Sequence, residues 1–328
     1  MMRAMIFNRT GGPEVFKYAE VPTPEPGSGE ILVRVAFAGV NPADWKNREG
    51  MLSPFRPYEF PCIIGFDAAG LVAAVGENVS GFEVGDRVFT PTNHGQGASG
   101  SYAEYTLARS DRVAQLPQGI DFREGAALPV AALTAWQALF ERVSVKAGEQ
   151  VLVHGGAGGV GSFAVQFARL AGASVAATCS TDNVDYLESL GVDRVIDYRT
   201  EDINAAIADW APGGLDTILD AVGFSTLPDA MAMLERGGTL VSVATLVDDR
   251  DFAAAQEEAS RRGVNHVYAI MSDEGCGPAL SRIAELVVTG EIQLPPIIDY
   301  PLTEVASVHA QMQHGHARGK RVLRVAAL

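Results

Sequence analysis

Residues 155–161 read Gly-Gly-Ala-Gly-Gly-Val-Gly, and Gly156, Gly158 and Gly161 among them have the spacing G-x-G-x-x-G. Three glycines so placed suit one chemistry, the cradling of a pyrophosphate by bare main chain. The first permits a tight turn, the second removes the Cβ that would hold phosphates off the backbone, and the third lets a helix lie close on a strand. Val151-Leu152-Val153 reads as a buried strand before the motif. After it, Val160, Phe163, Ala164, Phe167, Leu170 and Ala171 recur at helical spacing, and Gly172 ends the run. A glycine-rich stretch alone only turns a chain, but between strand and helix it is read as a dinucleotide site. The amides of Gly156, Ala157, Gly158, Gly159, Val160 and Gly161 then face the phosphates at the positive end of the helix dipole.

A second position bears on which dinucleotide is held. Folds that use NAD place an acidic residue at the end of the second strand, about 20 residues beyond the glycines, to bind the ribose 2′-OH. Here that place falls at Ser180 in Ala177-Thr178-Cys179-Ser180-Thr181-Asp182-Asn183. A neutral hydroxyl can donate to a 2′-phosphate that a carboxylate would repel, so NADPH is expected over NADH. Asp182 works against that choice, and Arg194 and Arg199 are the nearby cations that could offset it.

These residues need a scaffold, and composition bounds it. At 328 residues the chain is long for one core, so two domains are expected. Hydrophobic residues make up 47% of it, which argues against disorder. A formal net charge of −15 repels nucleic-acid phosphates and anionic membrane surfaces, so neither is an expected partner. There is no long apolar run and no basic-plus-apolar leader, and a cytoplasmic protein is the simplest expectation. Cys62, Cys179 and Cys276 lie far apart, which supports neither a disulfide framework nor a cysteine-rich metal site. His94 reads as a loop residue, and His309, His314 and His316 as solvated residues on a polar helix face.

The first 120 residues are punctuated by glycine and proline. Strands are expected at Met1–Phe7, Ile31–Ala38, Ile63–Val75, Asp86–Phe89 and Ser101–Leu107, with a polar Asn-Pro turn over Gly39–Gly50. Helices are expected over Arg123–Leu128 and Pro129–Phe140. Beyond the glycine motif, strands at 174–178, 194–196, 216–221, 239–244 and 265–271 alternate with helices at 183–190, 203–209, 227–234 and 252–262. With the strand before the motif this makes six, the pattern of a doubly wound parallel sheet. Closing helices are expected at Pro278–Val288 and Leu302–Gln313, and a last strand at Lys320–Val325.

Several segments together resemble the medium-chain dehydrogenase/reductase superfamily, in its zinc-independent, zeta-crystallin-like quinone oxidoreductase branch. They are GVNPADWKNREG, IIGFDAAGLVAAVGENVSGFEVGDRVF, GSYAEYTLA, LPVAALTAWQALF, VLVHGGAGGVGSFAVQ and HARGKRVLRV, which run across nearly the whole chain. The resemblance implies an α/β protein with a β-rich GroES-like catalytic domain, residues 1–121 and 273–328. It implies a Rossmann domain, residues 122–272, inserted between them. Zinc-dependent relatives have cysteine, histidine and cysteine where this chain has Asn41, Phe66 and a residue near Val130. Phenyl and isopropyl groups offer zinc no donor, so no metal is expected.

The resemblance also assigns roles. Asn41 and Lys46 would be catalytic, and Asn41 with Trp45 would meet the substrate. Thr134 would approach the nicotinamide carboxamide, Tyr198 the 2′-phosphate, and Val241, Ser242, Val243, Ala244, Val267 and Tyr268 the nicotinamide half. One departure is Asn183, where the family often has lysine. Without zinc, alcohol oxidation is disfavoured, whereas quinones and α,β-unsaturated carbonyls accept hydride readily. An NADPH-dependent quinone or enone oxidoreductase is therefore expected, as a homodimer paired through the last edge strand. An enoyl-thioester reductase and a non-catalytic NADPH-binding protein are the alternatives.

Overall fold

The computed structural model describes residues 1–53, 57–92, 99–243, 252–315 and 318–328. The expected site residue Ala244, and the histidines at 94 and 316, lie outside the described residues. The chain forms two compact units. The first comprises Met1–Leu133, Ser272–Gly315 and Lys320–Leu328, and the second comprises Thr134–Met271 with His316–Gly319.

The first unit opens with β1 (Met2–Ile6) and β2 (Lys17–Val21), an antiparallel pair. Its organising strand is β3 (Glu30–Val40), followed by α1 (Pro42–Arg48), β4 (Asp67–Val75), β5 (Arg87–Pro91), β6 (Tyr105–Arg109), β7 (Ala114–Gln115) and α2 (Phe122–Ala126). β3 pairs antiparallel with β4 and, along its first half, with β6. The segment 42–48, read from sequence as a turn, is helical. Proline at the first helical position gives up no hydrogen bond and arrives with φ preset, so Asn-Pro marks a helix start here. α2, assigned from the resemblance to the nucleotide-binding half, packs on β3, β4 and β5 of the first unit.

α3 (Pro129–Trp136) carries the chain into the second unit and widens into one π-helical stretch, Gln137–Arg142. Then come β8 (Gln150–His154), α4 (Gly159–Leu170), β9 (Ser174–Cys179), α5 (Val184–Ser189), β10 (Arg194–Asp197) and α6 (Ile203–Trp210). β11 (Leu215–Asp220), β12 (Leu234–Ser242), α7 (Phe252–Arg262) and β13 (Asn265–Tyr268) complete it. All six strands are parallel, in the order β10-β9-β8-β11-β12-β13. This is the doubly wound sheet the alternation of elements predicts. One expected helix, 227–234, is instead two short 3₁₀ turns, Phe224–Thr226 and Ala230–Ala232, before β12 begins. Leu227, Ala230, Met231 and Met233 are buried beside the sheet, so their apolar spacing reports burial and not a helix face.

The chain then returns to the first unit through α8 (Cys276–Val288), β14 (Ile297–Pro301), α9 (Val305–Gln313) and β15 (Lys320–Arg324). β15 lies antiparallel against the second half of β3, with β14 at its other edge. Sequence patterning missed β2, which is mostly exposed, and β14, of which no residue is fully buried. No helix among the described residues is long and apolar enough to cross a membrane.

The β3–β4 pairing imposes one hard steric limit. A Cβ on Gly70 would stand 1.9 Å from the Arg34 carbonyl oxygen, at the register shift opposite Val35. Gly70→Ala should destabilise the protein by about 1–3 kcal/mol through overpacking. An unchanged urea midpoint, at unchanged denaturant dependence, would contradict that packing.

Candidate functional site

In the second unit the expected cofactor residues share the carboxyl edge of the parallel sheet. The glycine turn follows β8, next to β11, where strand order reverses direction; ligands of such sheets bind at that place. β9 pins the turn: Gly155 N donates to Thr178 Oγ1 at 2.9 Å, and Gly156 N to the Thr178 carbonyl at 3.0 Å. A Cβ on Gly161 would meet the Gly155 carbonyl oxygen at 2.1 Å, and one on Gly156 the Ala177 Cβ at 2.9 Å. Gly158 differs, since a Cβ there would touch only Gly155 O, at 3.4 Å. Gly156 and Gly161 thus satisfy packing, while Gly158 opens onto free space. Among the described residues nothing accepts from the amides of Val160 and Gly161 in the first turn of α4, while Gly158 makes a parallel bridge to Gly319. Open space at the middle glycine and unspent donors at a helix start fit a dinucleotide's phosphates.

Ser180 follows β9, buried, its hydroxyl accepting from Asn183 Nδ2 at 2.9 Å. Tyr198 follows β10, partly exposed, with its amide on the Cys179 carbonyl. The nearby cations are differently placed. The Arg194 guanidinium is committed to Glu201 and to the Val195 carbonyl. Arg199 donates its backbone N–H to Asp197, whose carboxylate the Thr181 hydroxyl holds below the usual range. Val241 and Ser242 in β12 face Val267 and Tyr268 of β13 in register, and Val243 N donates to the Asp220 carbonyl. Thr134 is buried on α3.

In the first unit, Asn41 follows β3 and precedes α1, 4% exposed. Its carboxamide is held on both sides: Nδ2 donates to Asp67 Oδ2 at 2.8 Å, and Oδ1 accepts from Lys320 Nζ at 2.6 Å. Lys320 Nζ also reaches Asp67 Oδ2 at 3.3 Å and the Val40 carbonyl at 3.5 Å, with both ionic side chains buried. Asp67 Oδ1 accepts from Val130 N at 2.8 Å. Gly39 makes room for the Ala126 carbonyl and for this carboxylate, because a Cβ there would lie 2.4 Å from Ala126 O and 2.7 Å from Asp67 Oδ2. Trp45 and Lys46 are half-buried farther along α1, with Lys46 Nζ 5.6 Å from the centre of the Trp45 ring.

The residues around Asn41 do not suit zinc. At the three places where relatives carry ligands stand an amide already bonded to an ammonium, a phenyl ring, and an isopropyl group. Zinc needs thiolate, imidazole or carboxylate donors, and the lysine cation already occupies the polar ground. Sequence reading missed Asp67 and Lys320. Asp67 carried a signal, a lone charge opening an apolar strand, whereas Lys320 stands beside Arg321 in a basic stretch and carried none.

A second buried chain backs α1. The Asp44 carboxylate accepts from Asn41 N at 2.7 Å. Removal from water pushes Asp44 up to about 8, with the Asn41 N–H opposing and the Asp67 charge adding. Tyr102 OH lies 3.1 Å from His309 Nε2, and Arg48 Nη1 lies 3.3 Å from His309 Nδ1. Arginine only donates, so Nδ1 accepts and Nε2–H donates to the Tyr102 oxygen. His309 is fully buried, contrary to its reading as a solvated residue, and burial with the Arg48 charge lowers it to about 3. α9 presents His309 to the core together with Val305 and Val308.

Comparison with known proteins agrees with this geometry. Residues 27–118 match the alcohol dehydrogenase GroES-like domain family, and 159–283 the zinc-binding dehydrogenase family. The chain is 37% identical to the quinone oxidoreductase of Lama guanicoe over 98% of its own length and 97% of the relative's. Among solved structures it resembles the quinone oxidoreductase of Coxiella burnetii, at 31% identity and TM-score 0.86, covering 99% of each chain. It also resembles a mycobacterial protein complexed with NADPH, at 28% identity and TM-score 0.87, covering 99% of this chain and all of that one.

The two shifted groups make a signed prediction. Asp44, raised above its unfolded value, lends stability that is complete below about pH 3.8 and is lost as pH rises through 8. His309, lowered, lends stability that is complete above about 6.5 and is lost as pH falls towards 3. Between pH 6.5 and 8 only the Asp44 contribution changes, so urea midpoints should fall across that window and stay level in Asp44→Asn. Parallel curves for the two proteins would mean that Asp44 is ionised in the folded state.

Proposed function

This chain belongs to the medium-chain dehydrogenase/reductase family, in its quinone oxidoreductase branch, and from that premise we propose a zinc-independent, NADPH-dependent hydride transfer to quinones or α,β-unsaturated carbonyls. The observation that carries the metal-free part is the Lys320 ammonium on Asn41 Oδ1, a cation built into the place where relatives hold zinc. Support for the cofactor comes from the glycine turn with its open middle position and from the NADPH carried by a mycobacterial relative. Ser180 and Tyr198 are assigned to the 2′-phosphate. Thr134, Val241, Ser242, Val243, Ala244, Val267 and Tyr268 are assigned to the nicotinamide half.

When bound, the reduced nicotinamide supplies a hydride from its C4. The protein's part is placement and electrostatics. The amides at the start of α4 hold the pyrophosphate. The Asn41 carboxamide donates to the acceptor's oxygen, where negative charge develops as hydride arrives. Trp45 shields the acceptor from water, and Lys46 is assigned the return of a proton to that oxygen. A quinone or enone needs no stronger Lewis acid than such a donor, because its own conjugation spreads the charge. β13, an edge strand of the nucleotide-binding sheet, is the proposed seam of a homodimer.

The test is NADPH oxidation with 9,10-phenanthrenequinone, an enone and an enoyl thioester offered separately. Turnover of the first two supports the proposal, turnover of the thioester alone moves the protein to enoyl reduction, and turnover of none leaves a binding protein. Ser180→Asp should shift the NADPH:NADH ratio of kcat/KM towards NADH by about tenfold, or ~1.4 kcal/mol. An unchanged ratio would remove Ser180 from the 2′-phosphate site.

A further inference from the structure

The chemistry of its two partners fixes which way the Asn41 carboxamide points. An ammonium has only donors, so the group 2.6 Å from Lys320 Nζ must be the amide oxygen. A carboxylate has only acceptors, so the group 2.8 Å from Asp67 must be the amide nitrogen. One N–H of Nδ2 is spent on Asp67, and among the described residues nothing accepts the other. The three ammonium hydrogens have acceptors in Asn41 Oδ1, Asp67 Oδ2 and the Val40 carbonyl, so Lys320 holds no spare proton for the reaction. Asp67 is itself held from a second side by Val130 N.

We propose that Lys320 and Asp67 are positioning residues that lock the Asn41 side chain with a donor, and never an acceptor, available to the substrate oxygen. The inference rests on Asn41 being the group that meets the acceptor. A free asparagine side chain flips at little cost and would offer its oxygen part of the time, which repels the charge that develops during hydride transfer. The buried ion pair removes that alternative. It acts on the reaction only through Asn41, and this separates it from a pair that merely holds the fold.

The experiment is a double-mutant cycle on kcat with an enone acceptor. Lys320→Met alone would strand the Asp67 charge in the interior, so the perturbing variant is Lys320→Met with Asp67→Asn, which removes both charges at nearly constant volume. In the parent this pair should lower kcat about tenfold or more while NADPH affinity, read by fluorescence titration, stays within about twofold. In an Asn41→Ala background the same pair should cause no further loss, because the side chain it orients is gone. Equal losses in the two backgrounds, or no loss in the parent, would overturn the inference while Asn41 keeps its role. An Asn41→Ala variant with parental kcat would overturn both readings. A second measurement needs no variant: the ¹⁵N-edited spectrum of the intact protein should show the two Asn41 side-chain protons exchanging with water at different rates. One is protected from exchange, and the other moves when an unreactive ketone analogue binds. Two protons that both exchange rapidly, with neither moved by the analogue, would also overturn the inference.

Discussion

The first unit depends on a buried ion pair that has to be completely satisfied. Asp67 and Lys320 are both removed from solvent, and charges so placed persist only when every remaining lone pair and proton finds a partner. The partners come from the ends of four elements: Val40 closing β3 and Asn41 just after it, Asp67 opening β4, Val130 in the first turn of α3, and Lys320 opening β15. Removing one charge of such a pair typically costs about 3–5 kcal/mol, because the other is left unpaired in the interior. The pair therefore brings segments from three distant parts of the chain to one point. It also explains why Gly39 stands beside it, where any side chain would occupy the carboxylate's space.

Asn41 joins this pair to the helix that carries the other proposed substrate residues. Its backbone amide is taken by Asp44 of α1 and its carboxamide by the ion pair, so the helix sets its position and side chains from outside the helix set its orientation. Behind it, Tyr102 and His309 tie α1 to α9 through hydrogen bonds whose direction Arg48 determines. A neutral histidine and a carboxyl group pushed towards neutrality suit an interior in which the charge count is already closed. The result is a rigid polar core beneath a helix, the kind of support that precise placement of a reacting group requires.

The second unit places its residues by a different route. In a parallel sheet every strand delivers its carboxyl end to the same edge, so residues far apart in sequence meet there without specific bonds between them. The glycine turn, Ser180, Tyr198, Ser242 and Tyr268 all follow or end strands in that way. The turn needs special residues because backbone there approaches backbone, as it also does at Gly214 and Gly238, and in the proposal phosphate as well.

What the chain alone determined is what local chemistry can specify. A strand, three spaced glycines and an amphipathic helix fall within about two dozen residues, and the physical need for each glycine does not depend on the rest of the fold. The alternation of elements and the absence of metal-binding side chains at Asn41, Phe66 and Val130 were legible for the same reason. Tertiary structure decided the rest. The bonds of Asn41 to Asp67 and to Lys320 span 26 and 279 residues, and no pattern in sequence ties an aspartate opening one strand to one of several basic residues in another. His309 was read as lying on a polar helix face, yet it shares the buried side of α9 with Val305 and Val308. The 227–234 segment looked helical because apolar spacing records burial, and burial beside a sheet imitates a helix stripe. Polar partnership and the direction a face points depend on what the chain folds against, and only the assembled structure contains that information.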